Sequence, residues 1–166
     1  MSKKEIKKTE PEKPEFEQKL VDLSRVTRVT KGGKRLSFRA LVVVGNKNGQ
    51  VGYGVAKGKD VTMAISKAVD QAKKNIIKVN LVKGTILHEV KGKFKAAKVL
   101  LKPAPRGTGV MAGGPIRVVL DLAGIENIVA KMLGSKNKIN NVKCTYNALL
   151  NLKQIEVDKA VKKEEK

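Results

Sequence analysis

The residues able to do chemistry are few, and their spacing points away from catalysis. The most suggestive run is Arg106-Gly107-Thr108-Gly109-Val110-Met111-Ala112-Gly113-Gly114-Pro115, a glycine-rich loop opening a helix. Free amides at such a helix start bind phosphate, and Gly107, Gly109 and Ala112 fit a G-x-G-x-x-A spacing. Yet Pro103 and Pro105 sever the loop from the strand before it, and the helix after it has only about two turns. The Lys-Ser/Thr pair that completes a P-loop is missing. Asp121, the nearest acid, falls on the helix's second turn, badly placed for Mg²⁺. The run therefore reads as a loop for close backbone approach or protein contact, with Arg106, Gly107, Thr108, Gly109, Gly113 and Gly114 as its candidates.

Other chemistry is scarcer still. Cys144 is the single cysteine, so neither a disulfide framework nor a thiolate cage can form within the chain. Its apolar neighbours suggest a half-buried packing position. His88 is the single histidine, which removes His-pair metal sites and most proton relays; a surface or RNA-facing role is expected for it. No metal, cofactor or small-molecule substrate is expected, and no catalytic residue.

A second constellation has a different chemistry. Arg25-Val26-Thr27-Arg28-Val29-Thr30-Lys31-Gly32-Gly33-Lys34-Arg35 holds five bases and no acid in eleven residues. Two glycines keep a hairpin tip narrow, so a Lys/Arg-edged finger can enter a groove between phosphate backbones. The plain alternative is an ordinary polar hairpin. With Arg39, Lys47, Lys57 and Lys59 on or beside the following strands, these residues form the candidate RNA-contacting set: Arg25, Thr27, Arg28, Lys31, Gly32, Gly33, Lys34, Arg35, Arg39, Lys47, Lys57 and Lys59.

Charge partition supports a polyanionic partner. The 166 residues carry 36 Lys and Arg against 15 Asp and Glu, a net +21. Residues 1–22 sum to zero, as do 156–166, so residues 23–155 carry the whole excess. The five acids of that middle, Asp60, Asp70, Glu89, Asp121 and Glu126, are scattered, and Ser24–Lys59, Val90–Leu120 and Asn127–Ile155 contain none. Such a field repels itself unless a polyanion neutralises it. Nucleic acid ranks above an anionic membrane surface. Only 3% of residues are aromatic. In Val51-Gly-Tyr-Gly-Val-Ala-Lys-Gly58, Val51 is not basic and Val55 and Gly58 are not aromatic, as a base-stacking RNA strand would need, so recognition must rest on phosphate, ribose and shape. The longest apolar runs, such as Ala40–Val44, are strand-length. The charged N-terminus has no apolar core, and a cytosolic compartment is the expectation.

The elements that must position these residues follow from periodicity. Residues 1–13 read as a disordered tail and 154–166 as a charged one. A short helix is expected after Pro14, with Phe16, Leu20 and Leu23 four and three apart. Strands are expected from Arg25, over Arg35–Val44 and over Gln50–Ala56, the last two joined by the Asn46-Lys-Asn-Gly49 hairpin. Asp60 should cap a helix bearing Val61, Ile65, Ala68, Val69, Ala72 and Ile76 on one face. Helix, three antiparallel strands and helix over residues 14–78 make a unit too small to be robust alone. Residues 79–153 read as a second, α/β unit: strands near Thr85–Val90 and Phe94–Leu101, a loop to Pro115, a helix Ile116–Ala123, a strand Ile128–Leu133 and a helix Ile139–Leu152. The class is α+β.

Two long motifs carry a resemblance. Gly33-Lys-Arg-Leu-Ser-Phe38-Arg-Ala-Leu-Val-Val-Val-Gly45-Asn-Lys-Asn-Gly49-Gln-Val-Gly52-Tyr-Gly54-Val-Ala-Lys57-Gly-Lys-Asp60-Val resembles the signature of the bacterial small-subunit ribosomal protein five family. Pro103-Ala-Pro-Arg-Gly107-Thr-Gly109-Val-Met-Ala-Gly113-Gly114-Pro-Ile-Arg117 is similar to that family's loop and helix. The resemblance runs from Phe16 to Leu152. It implies a first domain like double-stranded RNA-binding domains and a second with a left-handed β-α-β crossover, against the general right-handed rule. It implies binding to small-subunit ribosomal RNA, contacts with neighbouring small-subunit proteins four, eight and three, nearby messenger RNA, a role in decoding accuracy, and a place in the cytoplasmic ribosome. By position it puts Thr27–Lys34 against RNA, and Gly107 to Arg117 against protein four. A free-standing double-stranded RNA binder and a phosphotransferase using the glycine loop are the competing functions.

Overall fold

The computed structural model describes residues 16–152; the expected tails at 1–13 and 154–166 lie outside the described residues. The segment after Phe16, expected as a helix, is a strand. β1 (Glu17–Thr30) runs antiparallel to β2 (Gly33–Gly45) along its whole length. The misleading spacing has a geometric origin. The register shifts between Leu20 and Asp22, leaving Val21 as an inserted bulge residue, so Leu20 pairs with Val42 and Leu23 with Ala40. A period of two plus one extra residue yields intervals of four and three, the helical signature.

β2 continues into β3 (Gln50–Gly58) through the expected Asn46–Gly49 turn, where Asn46 Oδ1 accepts from the Asn48 and Gln50 amides. The helix α1 (Val61–Lys74) follows, and β4 (Ile76–Lys78) returns to β3. Ile76, expected on the helix, therefore lies in a strand. Asp60 occupies the N-cap position without a side-chain capping bond. Ala64, Ala68 and Ala72 are the fully buried residues of the helix, and the expected Ile65 and Val69 pack beside them partly buried. Those alanines meet glycines. A methyl on Gly54 would strike the Ala68 carbonyl and lie 2.7 Å from the Ala72 nitrogen, so the helix rests directly on the backbone of β3.

The first strand of the second sheet starts later than the expected Thr85. Thr85 makes only a bridge to Val82, and the first full strand is β5 (Val90–Phe94), in which Val90 and Gly92 face inward. A two-residue turn, Lys95-Ala96, then splits the expected Phe94–Leu101 strand. That turn uses a left-handed lysine in place of Gly or Asn, leaving no sequence signal (Lys95 φ 52°). β6 (Ala97–Pro103), β7 (Val110–Met111), α2 (Gly114–Ala123), β8 (Ile128–Met132) and α3 (Lys138–Leu150) complete the chain. The sheet order is β5-β6-β8-β7, with β7 and β8 parallel and joined through α2.

The two sheets share a core. Ala40, Val42 and Val44 of β2 pack under α1, whereas Leu41, Val43 and Val51 join Ile116, Leu120, Leu122, Val142 and Leu149 from α2 and α3. Burying each such side chain contributes about 1.5–3 kcal/mol. β2 is thus covered on both faces between residues 40 and 44, and the finger is built on its rigid end.

Candidate nucleic-acid interface

β3 begins its pairing with β2 at Phe38, so the hairpin beyond that point is a free two-stranded ribbon. Six residues separate Phe38 from Gly32, and at about 3.3 Å per residue the tip stands roughly 20 Å clear of the sheet. Lys31 and Gly32 form the turn. Thr30 Oγ1 donates to the Gly33 carbonyl at 3.1 Å, and Gly33 takes φ 135°, a region that disfavours side chains. Nothing lies within 4 Å of where a Cβ would sit at Gly32 or Gly33.

Strand register sorts the candidate cations onto two faces. Arg28 lies opposite Arg35, and Arg39 lies between Ser24 and Lys57 in adjacent strands; alternation puts all of these cations on one side. Arg39 donates to Ser24 Oγ at 3.0 Å, fixing its guanidinium at the base of the ribbon. Arg25, opposite Phe38, and Lys34, opposite Val29, share the other side with Thr27 and Leu36. Among the described residues, no ion pair involves any of these cations. The two acids of β1 are engaged elsewhere, Asp22 with Lys138 at 2.7 Å and Glu17 with Lys47 at 2.8 Å. Lys47 is accordingly remote from the finger, at the far end of β2 in a turn whose amides bond to α2: Lys47 N to Leu122 O and Gly49 N to Ala123 O. Lys59 follows β3, exposed, just before α1.

The glycine loop is organised by a residue that sequence reasoning missed. Asn127 Oδ1 accepts from both the Gly107 amide at 3.0 Å and the Gly109 amide at 3.2 Å. Its own carbonyl accepts from Thr85 Oγ1 at 2.6 Å, which in turn receives the Ala104 amide at 3.4 Å. Two of the loop's amides are therefore already satisfied from within and are not free to hold a phosphate. An asparagine between Glu126 and Ile128 carries no local signal of this task. Arg106 and Gly107 are exposed, Thr108 Oγ1 donates to Pro105 O, and Gly109 is partly covered. Gly113 caps α2 beside Met132, and Gly114 and Arg117 are exposed. An open groove along Val110–Gly113, Arg117 and Ala130–Met132 joins the loop to the edge of β8.

Cys144 is fully buried, beyond the half-burial expected, with Sγ donating to Ala97 O at 3.6 Å. Burial pushes its thiol pKa up, away from reactivity. His88 is half-buried. No group of three or more metal-ligating side chains occurs among the described residues. Three aromatics gather where the two units meet: Tyr53 and Tyr146 touch edge to face at 4.8 Å, and Lys143 Nζ lies 5.9 Å from the Tyr53 ring and 5.6 Å from Phe94. These rings are spent on packing rather than offered to bases.

Residues 16–80 match the model of the ribosomal protein S5 N-terminal domain, and 92–164 match that of the ribosomal protein S5 C-terminal domain. The small ribosomal subunit protein uS5 of Thermotoga maritima is 54% identical over 138 residues, spanning 83% of this chain and 78% of that protein. The proteins of the same name from Thermotoga petrophila and Thermotoga neapolitana give the same figures. A free basic ribbon on a sheet shared between two units and a glycine loop closed by its own asparagine therefore belong to a chain that is a member of the ribosomal protein S5 family.

Proposed function

We propose that this chain is a non-catalytic structural constituent of the small ribosomal subunit that binds small-subunit ribosomal RNA through the Arg25–Arg35 finger and the Arg39–Lys57 sheet surface. The observation that carries this is the direct opposition of Arg28 and Arg35 in the ladder, with no acid among the described residues paired to either. Like charges facing across strands destabilise an isolated hairpin. A phosphate backbone turns that cost into binding energy by releasing counterions. The cytoplasmic ribosome is the place this reading assigns.

The finer reading divides the chain into residues 14–78, a unit akin to double-stranded RNA-binding domains in its three antiparallel strands and following helix, and 79–153, an α/β unit with a left-handed β7–α2–β8 crossover. Arg106–Gly109, Gly113, Gly114 and Arg117 form the surface offered to small-subunit protein four. Proteins eight and three are further neighbours, near where messenger RNA enters, and decoding accuracy depends on the protein-four contact. Support comes from the exposed loop and groove, with backbone geometry held by Asn127.

Sucrose-gradient sedimentation of the native protein at physiological salt tests the assignment. Co-migration with the small subunit is expected. Recovery at the top of the gradient, with comparable affinity for any long RNA duplex, would instead identify a free-standing duplex binder.

A further inference from the structure

The face of the finger opposite the paired arginines carries exposed apolar side chains as well as charge. Val29 is 74% exposed and Leu36 53% exposed, and the register puts both on the side of Phe38 and Thr27. Phe38 packs against the cluster under α1, so an apolar stripe leaves the core at Phe38 and continues along the ribbon into solvent. Among the described residues, no neighbour covers these two aliphatic side chains on the projecting ribbon. Arg25 and Lys34 lie on the same face and flank the stripe. No acid occurs between Ser24 and Lys59, so whatever covers this face combines apolar contact with negative charge at its margins.

We infer that Val29 and Leu36 pack against the ribose-lined minor groove of an RNA helix, while Arg25 and Lys34 reach the phosphates on either side. This deepens the proposed function and rests on the finger being an RNA-binding element. The A-form minor groove is wide and shallow and presents sugars, a surface that a ribbon of two strands about 4.8 Å apart can lie upon. Aliphatic residues suit sugar C–H edges. A site for a splayed base would call for aromatic rings to stack on it, and the described finger has none beyond half-buried Phe38. The two faces then act by different physics: Arg28 and Arg35 through counterion release, Val29 and Leu36 through burial of apolar surface.

The test compares two full-length double variants for binding to small-subunit ribosomal RNA across a salt series. Val29→Thr/Leu36→Thr keeps strand propensity and charge, and should weaken binding about ten- to a hundredfold at every salt concentration with the salt slope unchanged. Arg28→Gln/Arg35→Gln should flatten the slope. Hydroxyl-radical cleavage should show ribose protection at the finger's footprint with the native protein, lost in the threonine variant. If the threonine variant binds RNA and protects riboses like the native protein, the inference is overturned while the finger assignment stands. The same holds if that variant fails only in retaining a neighbouring protein, which would make the stripe a protein contact. If neither variant changes RNA binding, the finger assignment itself falls and takes this inference with it.

Discussion

Arg28 and Arg35 face one another directly across the β1–β2 ladder, and among the described residues no acid pairs with either. In the free protein that opposition costs stability, because cross-strand like charges repel. Arg35→Glu should therefore raise the stability of the isolated protein, by about 0.2–1 kcal/mol, while weakening its binding to ribosomal RNA. Thermal melts at low salt and filter binding on the same preparations check both halves. A variant that loses stability and keeps its affinity would contradict the account of the pair.

Gly54 is set by the closeness of α1, whereas Gly32 has open space around it. Gly54→Ala drives a methyl into the Ala68 carbonyl and should cost at least about 1–3 kcal/mol, the usual range for overpacking. Gly32→Ala should leave the melting temperature nearly unchanged. Because Tyr53 and Val55, on the opposite face of the same strand, pack against the core shared with α2 and α3, the Gly54 variant should lower the melting of the whole protein in one transition.

Particular residues show how far the sequence could be read. The β2–β3 hairpin was legible because Asn46–Gly49 has turn chemistry and the flanking strands are apolar. The strand at Glu17 was not legible, since the inserted Val21 gives Phe16, Leu20 and Leu23 helical intervals. Lys95 hid a turn by adopting a left-handed conformation without glycine. The finger's composition was plain, but its two faces required the register, which depends on a turn of two residues at Lys31 and Gly32. Asn127 was invisible because its partners lie 20 and 18 positions away.

Asn127→Ala removes the acceptor from the Gly107 and Gly109 amides. A loss of about 1–3 kcal/mol is expected, with faster hydrogen exchange at those two amides. Asn127→Asp keeps the accepting oxygen and should hold the loop. Calorimetry with ATP and Mg²⁺ should show no binding to the native protein; heat of binding that vanishes on changing Gly109 would revive a nucleotide site.

Burial raises the pKa of Tyr53, and of Tyr146, which also lies beside Tyr53 and donates to Asn75 O at 3.1 Å. The Cys144 thiol is raised as well. An acid whose folded pKa exceeds its unfolded value favours folding while it stays neutral. That contribution is complete below the ordinary values of 9.0 for the thiol and 10.0 for the phenols, and is lost as pH climbs through the raised ones. Stability should thus fall with rising pH from about 9 upward. Tyr146→Phe should show a shallower fall than the native protein, measured by urea denaturation at a series of alkaline pH values. Identical pH dependence in the two proteins would exclude Tyr146 from the effect.

The most direct measurement is the salt dependence of binding to small-subunit ribosomal RNA for the native chain and for a variant with Lys31, Lys34 and Arg35 all changed to Gln. If the finger supplies phosphate contacts, the slope of log K against log salt should flatten by the equivalent of about three contacts. An unchanged slope would show that the +21 charge meets its RNA elsewhere on the molecule.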